Sequence, residues 1–221
     1  MSLSSKVRTL KELPLYLPRR FSAAQRQRNR RNAARPPAQG IVVGLLAQVC
    51  GRLVKAGEEA LRIPERLPPS AQRVQEELKS RGYPHRVVET EETTRSAEEA
   101  ARAVGCGVGQ IVKSLVFRGR DSGRPILILA SGANRVDVAK IGKLAGEPVE
   151  KPDAKFVREH TGFAIGGVPP VGHPERLQTY IDEDLMRYGE VWAAGGTPNH
   201  VFRLAPNELA DMTGGKVAVT K

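Results

Sequence analysis

One lysine in this chain stands where a charge is hard to place. The stretch Ile111-Val112-Lys113-Ser114-Leu115-Val116-Phe117 reads as a buried β-strand. Strand side chains alternate faces, so Lys113 shares a face with Ile111, Leu115 and Phe117. An ammonium among apolar neighbours must snorkel to an edge, find a partner, or line a pocket where its charge acts on a ligand. The competing explanation is structural, a lysine that guards a strand edge against aggregation. Further along, Thr161 to His173 and Gly195 to His200 form two turns punctuated by Gly and Pro and attached to apolar runs. Glycine there lets a ligand approach backbone N–H groups, and proline removes loop freedom. Such loops can cradle an anion or a developing oxyanion.

Other chemistries are poorly represented. Cys50 and Cys106 lack metal or redox spacing, and Cys106 reads as a small packing residue. His85, His160, His173 and His200 show no HxxxH or HExxH arrangement, so no metal is expected. Asp182, Glu183 and Asp184 read as a solvated turn or helix start. The chain has no P-loop and no dinucleotide fingerprint, and no cofactor is expected.

The elements that must position these residues are mixed. Ser70 is expected to cap a helix whose Val74 and Leu78 face inward and which ends at Gly82. His85 to Thr90 reads as a strand. Ser96-Ala97-Glu98-Glu99 is a capping-box pattern opening a helix that stops at Gly105. After the lysine strand come a turn at Gly119 to Gly123 and an apolar strand from Ile126 to Ala130. Asp137 to Leu144 and Asp153 to His160 read as short helices, the second capped by Asp153. Strands are expected at Phe163–Ile165, Gln178–Asp182, Val191–Ala194 and Val201–Leu204, with a helix near Glu208 and a last strand near Val217. Strands and helices without strict βαβ alternation point to the α+β class.

The chain is long enough to bury a core, with 40% hydrophobic and 27% charged residues. Its formal charge of +11 belongs to a leader, because residues 1–57 hold 12 Lys and Arg against one acid, Glu12. Residues 58–221 are therefore neutral. Residues 1–63 are expected to be a basic extension of low order, with a helix over 41–62 marked by Val42, Leu45, Leu46, Val49 and Leu53. That apolar run is too short to span a bilayer, and no membrane partner is expected. Three readings of the leader stand: an organelle-targeting peptide, a tail binding RNA phosphates, or residues added by an upstream start codon.

The elements VKSLVF at 112–117, ILASGANRVD at 128–137, GGVPPVGH at 166–173 and GGTPNHVF at 195–202 resemble, in order, those of the YbaK/EbsC family. These are the prolyl-tRNA synthetase-associated or trans-editing domains, and the resemblance covers residues 66–221. It implies a single α+β domain with a curved, mixed, mostly antiparallel sheet surrounded by helices and a pocket at its mouth. It also implies a cytoplasmic hydrolase acting in trans on aminoacyl-tRNA. A prolyl-tRNA synthetase cannot strongly reject smaller amino acids, because one methylene is worth only ~1–3 kcal/mol. A second site must then hydrolyse the wrong ester. The GGVPPVGH form resembles the branch that removes alanine or a similar small residue from tRNA-Pro. A cysteinyl ester is the alternative substrate, and a non-catalytic RNA- or nucleotide-binding module the alternative class. Aromatic residues, at 5%, are scarce for a general single-strand binder.

In that resemblance Lys113 is the catalytic residue, its ammonium binding the terminal adenosine's phosphate or sugar and stabilising charge as water attacks. Lysine as general base would require a strongly lowered pKa. Gly166, Gly167, Val168 and Gly172 would surround the amino acid and the scissile carbonyl, and Pro169 and Pro170 would limit the pocket so that proline is excluded. Ser131, His173, Gly196, Thr197 and Asn199 complete the expected substrate contacts. Ser114, on the opposite face from Lys113, stays outside the catalytic set. The expected partners are the acceptor end of tRNA-Pro and prolyl-tRNA synthetase.

Overall fold

The computed structural model describes residues 61–91, 94 and 96–221. Of the helix expected over 41–62, residues 41–60 lie outside the described residues, as do Cys50 and the basic leader, while Leu61–Arg62 form the first strand, β1. The chain continues through α1 (Pro69–Ser80), β2 (Val88–Thr90), α2 (Ala97–Val104), β3 (Ile111–Gly119) and β4 (Pro125–Ser131). Next come α3 (Val138–Ala145), β5 (Val149–Glu150), α4 (Ala154–Thr161) and β6 (Gln178–Asp182). It ends with β7 (Val191–Ala194), β8 (His200–Leu204), α5 (Pro206–Thr213) and β9 (Lys216–Ala218). One sheet runs β1-β2-β8-β7-β3-β4-β6-β9, with β5 also on β3. Antiparallel pairs predominate, while β3–β7, β4–β6 and β6–β9 are parallel.

Local chemistry sets the helix ends. The capping box of α2 is complete, Ser96 Oγ accepting from Glu99 N–H and the Glu99 carboxylate from Ser96 N–H, and Gly105 closes the helix at φ 69°. Asp153 Oδ1 accepts from Phe156 N–H at 2.8 Å and opens α4 as expected. Ser70 does not cap α1. Pro68 is the cap residue and Pro69 starts the helix, because a proline at the first helical position needs no N–H acceptor. The strand expected from His85 shrinks to Val88–Thr90. The strand expected at Phe163–Ile165 is absent, since only Phe163 is buried and Ile165 is 61% exposed.

The sheet is covered on both faces. On one, Val112, Leu127, Leu129, Ala193 and Phe202 pack with Val74 and Leu78 of α1, Leu209 of α5, and Phe163, Val168 and Val171 of the connection after α4. On the other, two separate clusters form: Phe117, Ile126 and Ile128 with Ile141 of α3, and Ile111, Trp192 and Val201 with Ala100 and Val104 of α2. Each large side chain so buried contributes ~1.5–3 kcal/mol. Lys113 lies in sequence between Ile111 of one cluster and Phe117 of the other. Among the described residues no helix is long and apolar enough to cross a membrane.

Candidate active site

The sheet is broken beside Lys113. β3 pairs with β7 only at Ile111 and Val112, and with β5 only at Arg118 and Gly119. Between those points no strand of the described residues lies on that side of β3. Gly132 N–H bonds Ile111 C=O at 2.7 Å and Gly119 N–H bonds Arg124 C=O at 3.0 Å. The odd-numbered residues of β3 therefore turn their backbone groups to β4, and Ser114 and Val116 turn theirs into the break. Among the described residues the sheet ladder gives those N–H and C=O groups no partner.

Both Gly/Pro turns converge on this break. Residues 195–199 leave the sheet where β7 ends, one residue past its last pair with β3. A Cβ on Gly167 would sit 2.7 Å from Thr197 Cα, so the turn at 166–170 packs directly on the second turn. Gly196 has φ 103° and lies against Ser70 at the start of α1. Glycine is required at both positions, by close approach at the first and by backbone conformation and close approach at the second. Thr94 N–H and Thr90 N–H donate to the carbonyls of Pro198 and Asn199 at 2.9 and 2.8 Å. The second turn is thus fastened to β2 and the connection after it.

Lys113 Nζ donates to Gly132 C=O at 3.0 Å and to Asn134 C=O at 2.5 Å. Burial lowers its pKa, while the carboxylates of Glu98 and Asp182 oppose the shift. The 131–134 turn rests on a buried acidic pair that the sequence suggested was solvated. Asp182 is fully buried and Asp184 is 8% exposed. Asp182 Oδ2 accepts from Ser131 N–H at 3.2 Å and from Asn134 Nδ2 at 2.7 Å, and Asn134 Nδ2 also reaches Asp184 Oδ2 at 2.8 Å. Lys221 and Asn134 hold the Asp184 carboxyl below its ordinary pKa. The one signal for this cluster in the sequence is an acid, Asp182, ending the buried run Thr179-Tyr180-Ile181.

The expected site residues divide. Gly166, Gly167, Gly196, Thr197 and Asn199 come together, Val168 is buried in the core cluster of the same face, and Pro169 is buried beside it. Ser131 is near Lys113, but its hydroxyl donates to Gly109 C=O at 2.8 Å inside the protein. Pro170, Gly172 and His173 line a cavity of about 300 Å³ with Arg81, Arg176 and Asp211, whose walls include neither Lys113 nor the second turn. Ser114 faces away from Lys113 as alternation requires, on the same face as Val168 and Val171, and its Oγ is buried without a hydrogen-bond partner. His200, 5% exposed, faces that side too. Its Nδ1 lies 2.6 Å from Thr197 Oγ1 and its Nε2 is buried and unpaired. Cys106 is unsuited to nucleophilic chemistry, because burial and then Glu190 push its thiol up to about 11.

Burial lowers the pKa of His173 and of His200. The unfolded chain therefore binds more protons than the fold just below the ordinary histidine pKa. Their stabilising contribution is full above about pH 6.5 and is lost as pH falls toward their lowered folded values. Urea unfolding should give a lower stability in mildly acidic than in neutral buffer, with a smaller difference in a His173→Gln variant. A pH-independent midpoint would contradict this.

A family model described as an aminoacyl-tRNA editing domain matches residues 91–212. The chain is 35% identical over 131 residues to the uncharacterized protein YwhH of Bacillus subtilis (strain 168), covering 59% of this chain and 83% of that protein. It is 31% identical over 124 residues to a protein of Enterococcus faecalis (strain ATCC 700802 / V583) provisionally named Cys-tRNA(Pro)/Cys-tRNA(Cys) deacylase EbsC, covering 56% of this chain and 75% of that one. A crystal structure of a provisionally assigned trans-editing enzyme for prolyl tRNA synthetase superposes with a TM-score of 0.67 and 55% identity, over 71% of this chain and 99% of that one.

Proposed function

The chain belongs to the aminoacyl-tRNA editing domain family, and we propose that it hydrolyses, in trans, the ester joining a mischarged small amino acid to the terminal adenosine of tRNA-Pro. The observation that carries this reading is the ammonium of Lys113, held on the carbonyls of Gly132 and Asn134, on a strand where the backbone groups of Ser114 and Val116 meet no strand among the described residues. An aminoacyl ester is already activated, so positioning and charge stabilisation suffice and no nucleophilic side chain is needed. In the attack, water adds to the scissile carbonyl and its oxygen becomes an oxyanion. The Lys113 ammonium and the N–H of Ser114 are donors suited to that charge. The tetrahedral species then expels the ribose oxygen, which takes up a proton as the amino acid leaves. The packed turns at 166–170 and 195–199 restrict the space for the amino acid and exclude the proline ring.

Alanine is the leading side chain removed. A specific observation favours cysteine as the second reading: Ser114 Oγ and His200 Nε2 are buried and unpaired on the face that carries the turns. A thiol or hydroxyl could satisfy such groups and a methyl could not. The cysteinyl name of the Enterococcus relative points the same way for that protein.

Single-turnover hydrolysis of tRNA-Pro charged with alanine, serine, cysteine or proline tests both readings. Rapid loss of one non-cognate ester with proline spared is the expected result. Equal stability of all four esters in the presence of enzyme, with tRNA still bound, would favour a non-catalytic binding module.

A further inference from the structure

Lysine has three N–H donors. In Lys113 two are fixed on the carbonyls of Gly132 and Asn134, and among the described residues no third acceptor is present. The direction of the remaining N–H is therefore set by whatever holds the 132–134 turn. That turn is not held by regular structure, because β4 ends at Ser131. It is held from beneath by Asp182, which takes Ser131 N–H and Asn134 Nδ2 on one oxygen and Asp184 N–H, at 3.2 Å, on the other. The carboxylate is fully buried with these bonds in place. Asn134 is the bridge, since its main-chain carbonyl receives the ammonium while its side chain grips Asp182 and Asp184. Lys221 ties down Asp184 from the other side, and three residues past the turn Asp137 N–H donates to Thr220 C=O at 2.8 Å.

We propose that Asp182 and Asn134 are positioning residues of the hydrolytic site, which fix the two carbonyls that hold and orient the Lys113 ammonium. The proposal rests on the role given to Lys113 above. Two charged groups bear on that ammonium, Glu98 from α2 and Asp182 from the end of β6, while Asp184 and Lys221 pair with each other beside Asn134.

The test is single-turnover hydrolysis of mischarged tRNA-Pro across neutral to alkaline pH, corrected for spontaneous hydrolysis, with tRNA binding measured in parallel. The variants are Asp182→Asn, Asn134→Ala, Glu98→Gln and Lys113→Ala. Asp182→Asn keeps the shape but removes the charge. Asn134→Ala keeps the main-chain carbonyl, removes its anchor, and sits at a partly exposed position, and denaturant unfolding of both variants separates a lost fold from a lost rate. Both should lower the plateau rate about tenfold to hundredfold, as expected for displaced catalytic groups, with tRNA binding unchanged. Asp182→Asn should also move the alkaline limb to lower pH, because a lysine that loses a nearby negative charge releases its proton more readily. Glu98→Gln touches none of the turn and should move that limb without lowering the plateau. Wild-type plateaus in Asp182→Asn and Asn134→Ala, beside an inactive Lys113→Ala, would overturn the positioning role alone. A fully active Lys113→Ala would overturn the role of the lysine and the positioning role with it.

Discussion

Replacing Lys113 with alanine is expected to slow hydrolysis of the preferred aminoacyl ester by about 10²–10³-fold, the usual effect of removing one donor from a developing oxyanion. Binding of tRNA should change far less, because most of that affinity comes from phosphate contacts elsewhere. Lys113→Arg should not restore the rate. A guanidinium is planar, and its fork does not reproduce a compact ammonium seated between the carbonyls of Gly132 and Asn134. Loss of two acceptors' partner carries its own penalty of ~1–3 kcal/mol, so denaturant unfolding of Lys113→Ala belongs beside the kinetics. A variant that is folded and hydrolyses at the wild-type rate would remove the lysine from the mechanism.

Gly167→Ala should be nearly as damaging, though it touches no charged group. The new methyl would lie 2.7 Å from Thr197 Cα and 3.0 Å from the backbone N and C of the same residue. Backbone on both sides leaves no flexible side chain to give way, so the two turns must separate. A shift on the order of an ångström at a reacting centre can lower the rate about a hundredfold. Gly123→Ala is the matched control. Gly123 has φ 68° in the distant β3–β4 turn, and an added methyl there meets nothing within 4 Å. It should lose ~1–3 kcal/mol through backbone strain and keep its activity. Equal activity in the two variants would show that the packing of the turns does not shape the site.

How far the fold could be read from sequence depended on whether the deciding contacts were local. The capping box at Ser96–Glu99 and the cap at Asp153 are complete within four residues, and both form as written. Alternation along β3 correctly set Lys113 and Ser114 on opposite faces. The strand expected at Phe163–Ile165 failed because three apolar letters cannot say that only the first is buried; glycines at φ 76° and 90° flank the segment and turn it. Asp182 was misjudged as solvated for a different reason. Its partners, Ser131 and Asn134, lie 51 and 48 residues away, and nothing near it in sequence announces them. Ser114 presents the subtler lesson. Its face was right, but that face is the one onto which the Gly/Pro turns fold, a fact that depends on tertiary packing alone.

The two-residue pairing of β3 with β7 can also be seen as a seam left unzipped. Extending its register would set Gly195 beside Ser114, followed by Gly196, Thr197 and Pro198. Glycine and proline are poor strand formers, so the chain itself keeps the seam from closing. Residues of high β-propensity at those positions would let β7 grow along β3 and satisfy the backbone of Ser114 and Val116. Such a protein should be more stable and inactive, which places this break among the sites where stability and activity oppose one another.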